Sequence, residues 1–273
     1  MSLLRAVLSY RISRLLFSAS VVLVLVSAAL NGAVELGGGE RLAEIERLVD
    51  VVREQTVQSW FSTVILAAGS VLAGVAAVRF RVSGERYWFR WAVVSASLMW
   101  VSFDEASSVH ELLNDPDAPA GLTRYAWVFA AVPVVVLLAV WMYPVLRGLS
   151  PAIRRLVIAA GIVFVGGAVG LETLSGIFFG TDLVYGTIAH GEEFLEMVGV
   201  VLFVEAMLRL LRVPKTESGR IVVVEARPAP RVWARPDDTN PPAARGMQPG
   251  RCRGRRFGGD VSFRPSRRRR RDG

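Results

Sequence analysis

Residues 60–80 read WFSTVILAAGSVLAGVAAVRF, an apolar run whose one formal charge, Arg79, stands next to its end. At about 1.5 Å per residue, a helix of this length reaches the roughly 30 Å thickness of a bilayer's hydrocarbon core. The run shows neither strand alternation nor a one-sided helical stripe, the two patterns a soluble domain would need. Five further stretches behave the same way: Leu15 to Gly32, Trp88 to Phe103, Tyr125 to Leu146, Leu156 to Phe179 and roughly His190 to Leu211. Trp88 to Phe103 is short and is expected to continue through the polar residues Asp104 to Leu113. The polar end of that span must then meet protein or water rather than lipid. The expected fold is an all-α, polytopic membrane bundle of about six transmembrane helices.

Composition agrees. Hydrophobic residues make up 52% of the 273, and the mean hydropathy is +0.41. The net charge of +8 is gathered at one end: from Arg212 to Gly273 there are 17 Lys and Arg against 6 Asp and Glu, so the remainder is slightly acidic. The chain therefore divides into a transmembrane domain, 1–212, and a disordered basic cytoplasmic tail, 213–273, ending in Arg267 to Arg271. The partner expected for this tail is the anionic lipid headgroups of the bilayer. Nucleic acid is disfavoured, because no fold or aromatic interleaving supports it. Cys252 is the only cysteine, which excludes a disulfide or a cysteine zinc site within the chain. Lys215 is the one lysine beside 31 arginines, the bias expected of a GC-rich bacterial genome.

Arginine placement orients the bundle. Arg5, Arg11 and Arg14, then Arg79, Arg81, Arg86 and Arg90, then Arg147, Arg154 and Arg155 fall on one side; Arg41, Arg47, Arg53 and Arg124 fall on the other. The positive-inside rule predicts both termini in the cytoplasm of a multi-pass protein of the plasma (inner) membrane. The first stretch could alternatively be a signal peptide ending at Ser27-Ala28-Ala29, but its length favours a retained span. Between the first two spans Leu42, Ile45, Val49 and Val52 recur at helical spacing, which predicts an amphipathic helix on the outer surface. Gly166 with Gly170, Gly176 with Gly180, and Gly69 with Ala73 and Ala77 predict close helix packing, and Pro133 predicts a kink.

Ionisable residues interrupt the apolar spans at one level. Counting about 1.5 Å per residue from the arginine at each inner end, Asp104 lies about 21 Å up and Glu111 about 31 Å. On the same count Glu172 lies about 25 Å up, and Glu196, Glu193 and His190 about 20, 24 and 28 Å. An ionised carboxylate facing lipid costs several kcal/mol, so these groups should face one another, water or a cation. His190, Glu193 and Glu196 share one helical face with Met197. Asp104, Ser107, Ser108 and Glu111 cluster similarly, whereas Glu105 and His110 point about 100° away from their neighbours. Ser102 with Glu105 can be a capping box, and Glu192 and Glu193 suit a first helical turn. Glu205, near the inner end, is expected to pair with Arg209 at i+4.

Carboxylates and imidazole at helical spacing on several helices are what a divalent-metal site in a bundle requires. The metal ligands expected are Glu172, His190 and Glu193, with Glu196, His110 and Glu105 nearby; Asp104 and Glu111 are the candidates for catalytic proton transfer. A membrane metalloenzyme is one form of this reading. A metal-free proton or cation path, as in a coupled transporter, uses the same groups, and so does an internal network in a membrane scaffold. Axial haem ligation by the two histidines fits less well amid so many carboxylates.

Ser102-Phe-Asp-Glu-Ala-Ser-Ser-Val-His-Glu111, Gly170-Leu-Glu172 and His190-Gly-Glu-Glu-Phe-Leu-Glu-Met197 resemble a group of uncharacterised multi-span bacterial membrane proteins. The likeness covers roughly Trp88 to Leu211 and implies that these acidic motifs travel together; it implies no activity. Better-known membrane hydrolases depart from it. Glu192-Glu193 has no histidine downstream, as CAAX-type proteases require, and two histidines are too few for a ceramidase-like zinc. Ser175 lies in Thr173-Leu-Ser-Gly176 rather than the Gly-x-Ser-Gly of rhomboid proteases.

Overall fold

The computed structural model of the chain describes residues 8–51, 53, 55–114, 121, 125–179 and 182–212. The basic tail expected over 213–273, together with Arg5, Val52, Arg124 and Gly180, lies outside the described residues. Among those described, the secondary structure is entirely helical: α1 (Arg11–Glu35), α2 (Glu40–Val49), α3 (Val57–Val82), α4 (Trp88–Ser107), α5 (Trp127–Gly148), α6 (Pro151–Ile177) and α7 (Asp182–Arg212). Four of them, α1, α3, α5 and α6, are long and apolar enough to cross a membrane. α4 and α7 also occupy expected stretches, but the acidic residues and arginines they carry set them apart from those four. The amphipathic helix expected in the outer loop is α2.

Local chemistry sets several of the boundaries. Thr56 caps α3 by accepting the Ser59 N–H at 3.4 Å, and Ser150 precedes Pro151, which stands at the first position of α6 where its missing N–H costs nothing. α4 does not continue through Asp104 to Leu113 as the sequence predicts. Ser108 takes the left-handed conformation (φ 52°, ψ 38°), its N–H closes on the Asp104 carbonyl at 2.6 Å, and Val109–Leu113 form a 3₁₀ turn. α7 begins at Asp182, two turns before the expected start near His190. Glu192 and Glu193 are therefore mid-helix residues, and the capping explanation for them fails. The capping box at Ser102 fails too, because Ser102 lies inside α4 and donates to the Thr63 carbonyl of α3 at 2.9 Å.

α7 packs against α1, α3 and α6, while α3 and α4 form a tight pair. Serines clasp that pair: the Ser70 and Ser95 hydroxyls each donate to the other's carbonyl at 2.8 Å. α1 meets α7 through Ser13, Ser20 and Ser27, spaced seven apart and all fully buried. Small side chains at this spacing let two backbones close up in lipid, where apolar burial alone gives helices little reason to associate. Ile65, Leu66, Met197, Val200 and Val204 fill the mid-bundle core. At the arginine-rich end Arg79 donates to the Leu211 carbonyl and Arg90 to that of Trp141, tying helix ends together. α5 keeps Leu137 and Val140 68% exposed, an outward apolar face that suits acyl chains. Pro133 and Pro144 both lie within α5, which runs on through them.

The expected packing face at Gly166 and Gly170 is corrected, whereas Gly176 is closely packed as expected, a Cβ there lying 2.9 Å from the Tyr125 ring. A Cβ added at Gly166 or Gly170 would meet nothing within 4 Å; one at Gly167 would lie 2.8 Å from the Glu192 carbonyl oxygen and 3.0 Å from Glu196 Cγ. The cause is a π-helical turn over Gly166–Leu171. In an α-helix positions five apart diverge by about 140°, whereas i→i+5 bonding brings them nearly one above the other. Gly167 and Glu172 are thereby turned to the same side, toward α7.

Candidate functional site

Three helices bring carboxylates together at one level of the bundle. Glu196 lies within electrostatic range of Glu193, Glu105, Glu192 and Glu172, and Glu192 within range of Glu172, Glu193 and Glu105. α4 supplies Glu105, α6 supplies Glu172, and α7 supplies the other three. Glu172 is buried, 8% exposed, and accepts a hydrogen bond from Trp127 Nε1 of α5 at 2.8 Å. The Gly167 contact holds the α6 backbone against α7 beside these groups.

The predicted α7 face holds in part. Glu193 and Glu196 join the cluster, and Met197 is fully buried beneath them. His190 is engaged elsewhere. Its Nδ1 lies 2.6 Å from the Gly186 carbonyl and must donate there, so Nε2, 3.2 Å from Ser27 Oγ, accepts from that hydroxyl. The link to α1 makes the first span a neighbour of the site.

Asp104 and His110 form a pair that continuous-helix geometry forbids, since residues six apart would sit about 120° from one another. The turn at Ser108 folds His110 back: its Nδ1 lies 2.7 Å from Asp104 Oδ2, and its backbone N–H donates to Asp104 Oδ1 at 2.9 Å. The imidazole also packs on Trp127, ring centroids 5.2 Å apart, so Trp127 touches both this pair and Glu172. Glu111 is not brought to the pair; it is exposed on the 3₁₀ turn.

Gln58, in the first turn of α3, escaped the sequence reading. It is 2% exposed, and its Nε2 donates to Glu193 Oε2 at 3.2 Å, while Oε1 has no hydrogen-bond partner. Turning the amide over would set its oxygen against the carboxylate, so this orientation is the one that makes the bond. The periodicity of α3 carried the signal: the buried stripe of Ser62, Leu66, Gly69 and Ala73, extended back four residues from Ser62, lands on Gln58. Glu192 was hidden by the misplaced start of α7. Among the described residues, no three His, Cys, Asp or Glu side chains stand close enough to hold a metal ion between them.

Glu205, toward the arginine-rich end, is fully buried and pairs with Arg209 at 2.8 Å as expected. It also accepts from the Ser9 N–H at 2.9 Å, the Ser9 hydroxyl and the Tyr10 N–H at 3.3 Å, which fastens the approach to α1 onto α7. This is an anchor, remote from the carboxylate cluster.

No curated protein and no solved structure matches the chain. The profile of one family, described as Domain of unknown function (DUF8692), matches residues 15–211, a span that runs from within α1 to the last turn of α7 and covers the whole carboxylate cluster. The chain belongs to that family.

Proposed function

We propose that the chain is a multi-pass protein of the plasma (inner) membrane, with six spans and both termini cytoplasmic, that binds a divalent cation in an acidic chamber on its non-cytoplasmic side. α4 and α7 are the two spans whose polarity reflects this chamber. The observation that carries the reading is the gathering of Glu105, Glu172, Glu192, Glu193 and Glu196 from three helices. Ionised carboxylates held close together repel one another. Such a group stays ionised only when positive charge is brought among it, and a divalent cation brings two charges at once. Arginines at the opposite end support the orientation, and the tail beyond Arg212 adds attraction to anionic headgroups.

Metal analysis of the purified chain tests the proposal. Wild type should carry about one divalent ion per chain, and Glu193→Gln should lose it while keeping its elution volume. Absence of metal from wild type, even after incubation with divalent salts, would reject the reading.

Proton handling by the same chamber is the second reading, favoured by the contacts running from Asp104 through His110 and Trp127 to Glu172. It predicts proton-coupled flux in proteoliposomes that Glu172→Gln abolishes without any bound metal.

A further inference from the structure

We propose that the cation is a hard one, of the Mg²⁺, Mn²⁺ or Ca²⁺ class, taken by oxygen ligands alone, with Gln58 Oε1 as a neutral ligand beside Glu193. The inference rests on the cation-binding reading above and names the chemistry that reading leaves open.

Gln58 is the first ground. A side-chain carbonyl oxygen buried without a donor is rare, because the group gives up water and gains nothing. The amide is not free to turn and find one, since its nitrogen is held on Glu193 and thereby fixes its plane. Its oxygen is thus left unpartnered on the other branch of an amide whose nitrogen touches the cluster. A cation lodged there would satisfy that oxygen.

The histidines are the second ground. His190 donates from Nδ1 to the Gly186 carbonyl, and its Nε2 lies 3.2 Å from Ser27 Oγ of α1, so its second nitrogen is turned to that hydroxyl. His110 places Nδ1 on Asp104 and its ring on Trp127, and the Trp127 indole donates to Glu172. Nitrogen is what draws Zn²⁺ and Cu²⁺ to a protein, whereas carboxylate, carbonyl and water suit the harder ions.

Coordination chemistry is the third. A Mg²⁺-like ion keeps much of its water and is satisfied with one or two carboxylates. Glu193 and the Gln58 amide oxygen would meet that demand.

Mn²⁺ is the probe, because free and bound ion are told apart by electron paramagnetic resonance. The full chain in detergent should bind about one Mn²⁺, displaced by excess Mg²⁺ or Ca²⁺. Gln58→Leu should weaken it by at least about tenfold, and His190→Gln should leave it within about threefold. Gln58→Glu keeps the size and oxygen of the side chain and should bind as tightly as wild type or tighter, which covers the case where the leucine variant does not fold. Unchanged Mn²⁺ affinity in folded Gln58→Leu, or weaker binding in Gln58→Glu, overturns the inference. So does binding of Zn²⁺ but not Mn²⁺ that is lost in His190→Gln, an outcome that leaves the cation-binding reading standing. A wild type that binds neither ion rejects both.

Discussion

Gly167→Ala is the substitution that most sharply separates the observed packing from the one the sequence predicts. The added methyl would lie 2.8 Å from the Glu192 carbonyl oxygen and 3.1 Å from the Glu196 N–H nitrogen. Both are backbone atoms of α7 and cannot swing aside, so α6 must move. Overpacking of this kind costs about 1–3 kcal/mol. Alanine returns about 1 kcal/mol through helix propensity, leaving a net loss of up to about 2 kcal/mol. Gly166→Ala is the matched control, one residue away in the same π turn with nothing within 4 Å, and should be neutral or stabilising by up to about 1 kcal/mol. Thermal unfolding in detergent, followed by tryptophan fluorescence, compares the two directly. Equal melting temperatures, or a larger loss at Gly166, would refute the π-turn packing and restore the Gly166 and Gly170 face.

Glu205→Ala should cost about 3 kcal/mol, the lower end for a broken buried pair, because Arg209 keeps 24% of its side chain exposed. Limited proteolysis should then cut before α1 faster than in wild type. Ser27→Ala removes the donor to His190 Nε2 and should lower stability by about 1 kcal/mol, measured by the same melt, without changing Mn²⁺ affinity. Glu46, on α2 outside the spans, titrates above the usual glutamate range because of burial and then the neighbouring Asp50. A raised folded-state value means full stability at low pH and a loss as pH rises through it. Glu46→Gln should therefore raise the melting temperature at pH 7 and match wild type below about pH 4; a gain at low pH alone would contradict this.

Much of the fold was legible because hydrocarbon length is a coarse requirement: a run such as Trp60 to Phe80 has few other uses. The layer of acids was legible for the same reason, since depth follows from counting residues. What escaped depends on backbone events that side-chain type does not announce. Serine is not a residue expected in the left-handed region, so nothing at Ser108 foretold that His110 would return to Asp104. A π turn needs one extra residue per turn and leaves no periodic mark, so Gly166 and Gly170 were assigned to the packing face that Gly167 occupies. The serines of α1 were readable as a stripe of small residues seven apart, but their polarity did not single them out as a helix interface. Gln58 fell just before the apolar run by which α3 was recognised.

The central claim is that Glu105, Glu172, Glu192, Glu193 and Glu196 enclose a cation. An experimental density map of the chain prepared in Mn²⁺, with anomalous scattering to identify the metal, tests it most directly. One peak bordered by Glu193 and Gln58 Oε1, with Glu172 turned toward α7, is the predicted result. A map without such a peak, or with Glu172 facing the acyl chains, would contradict it.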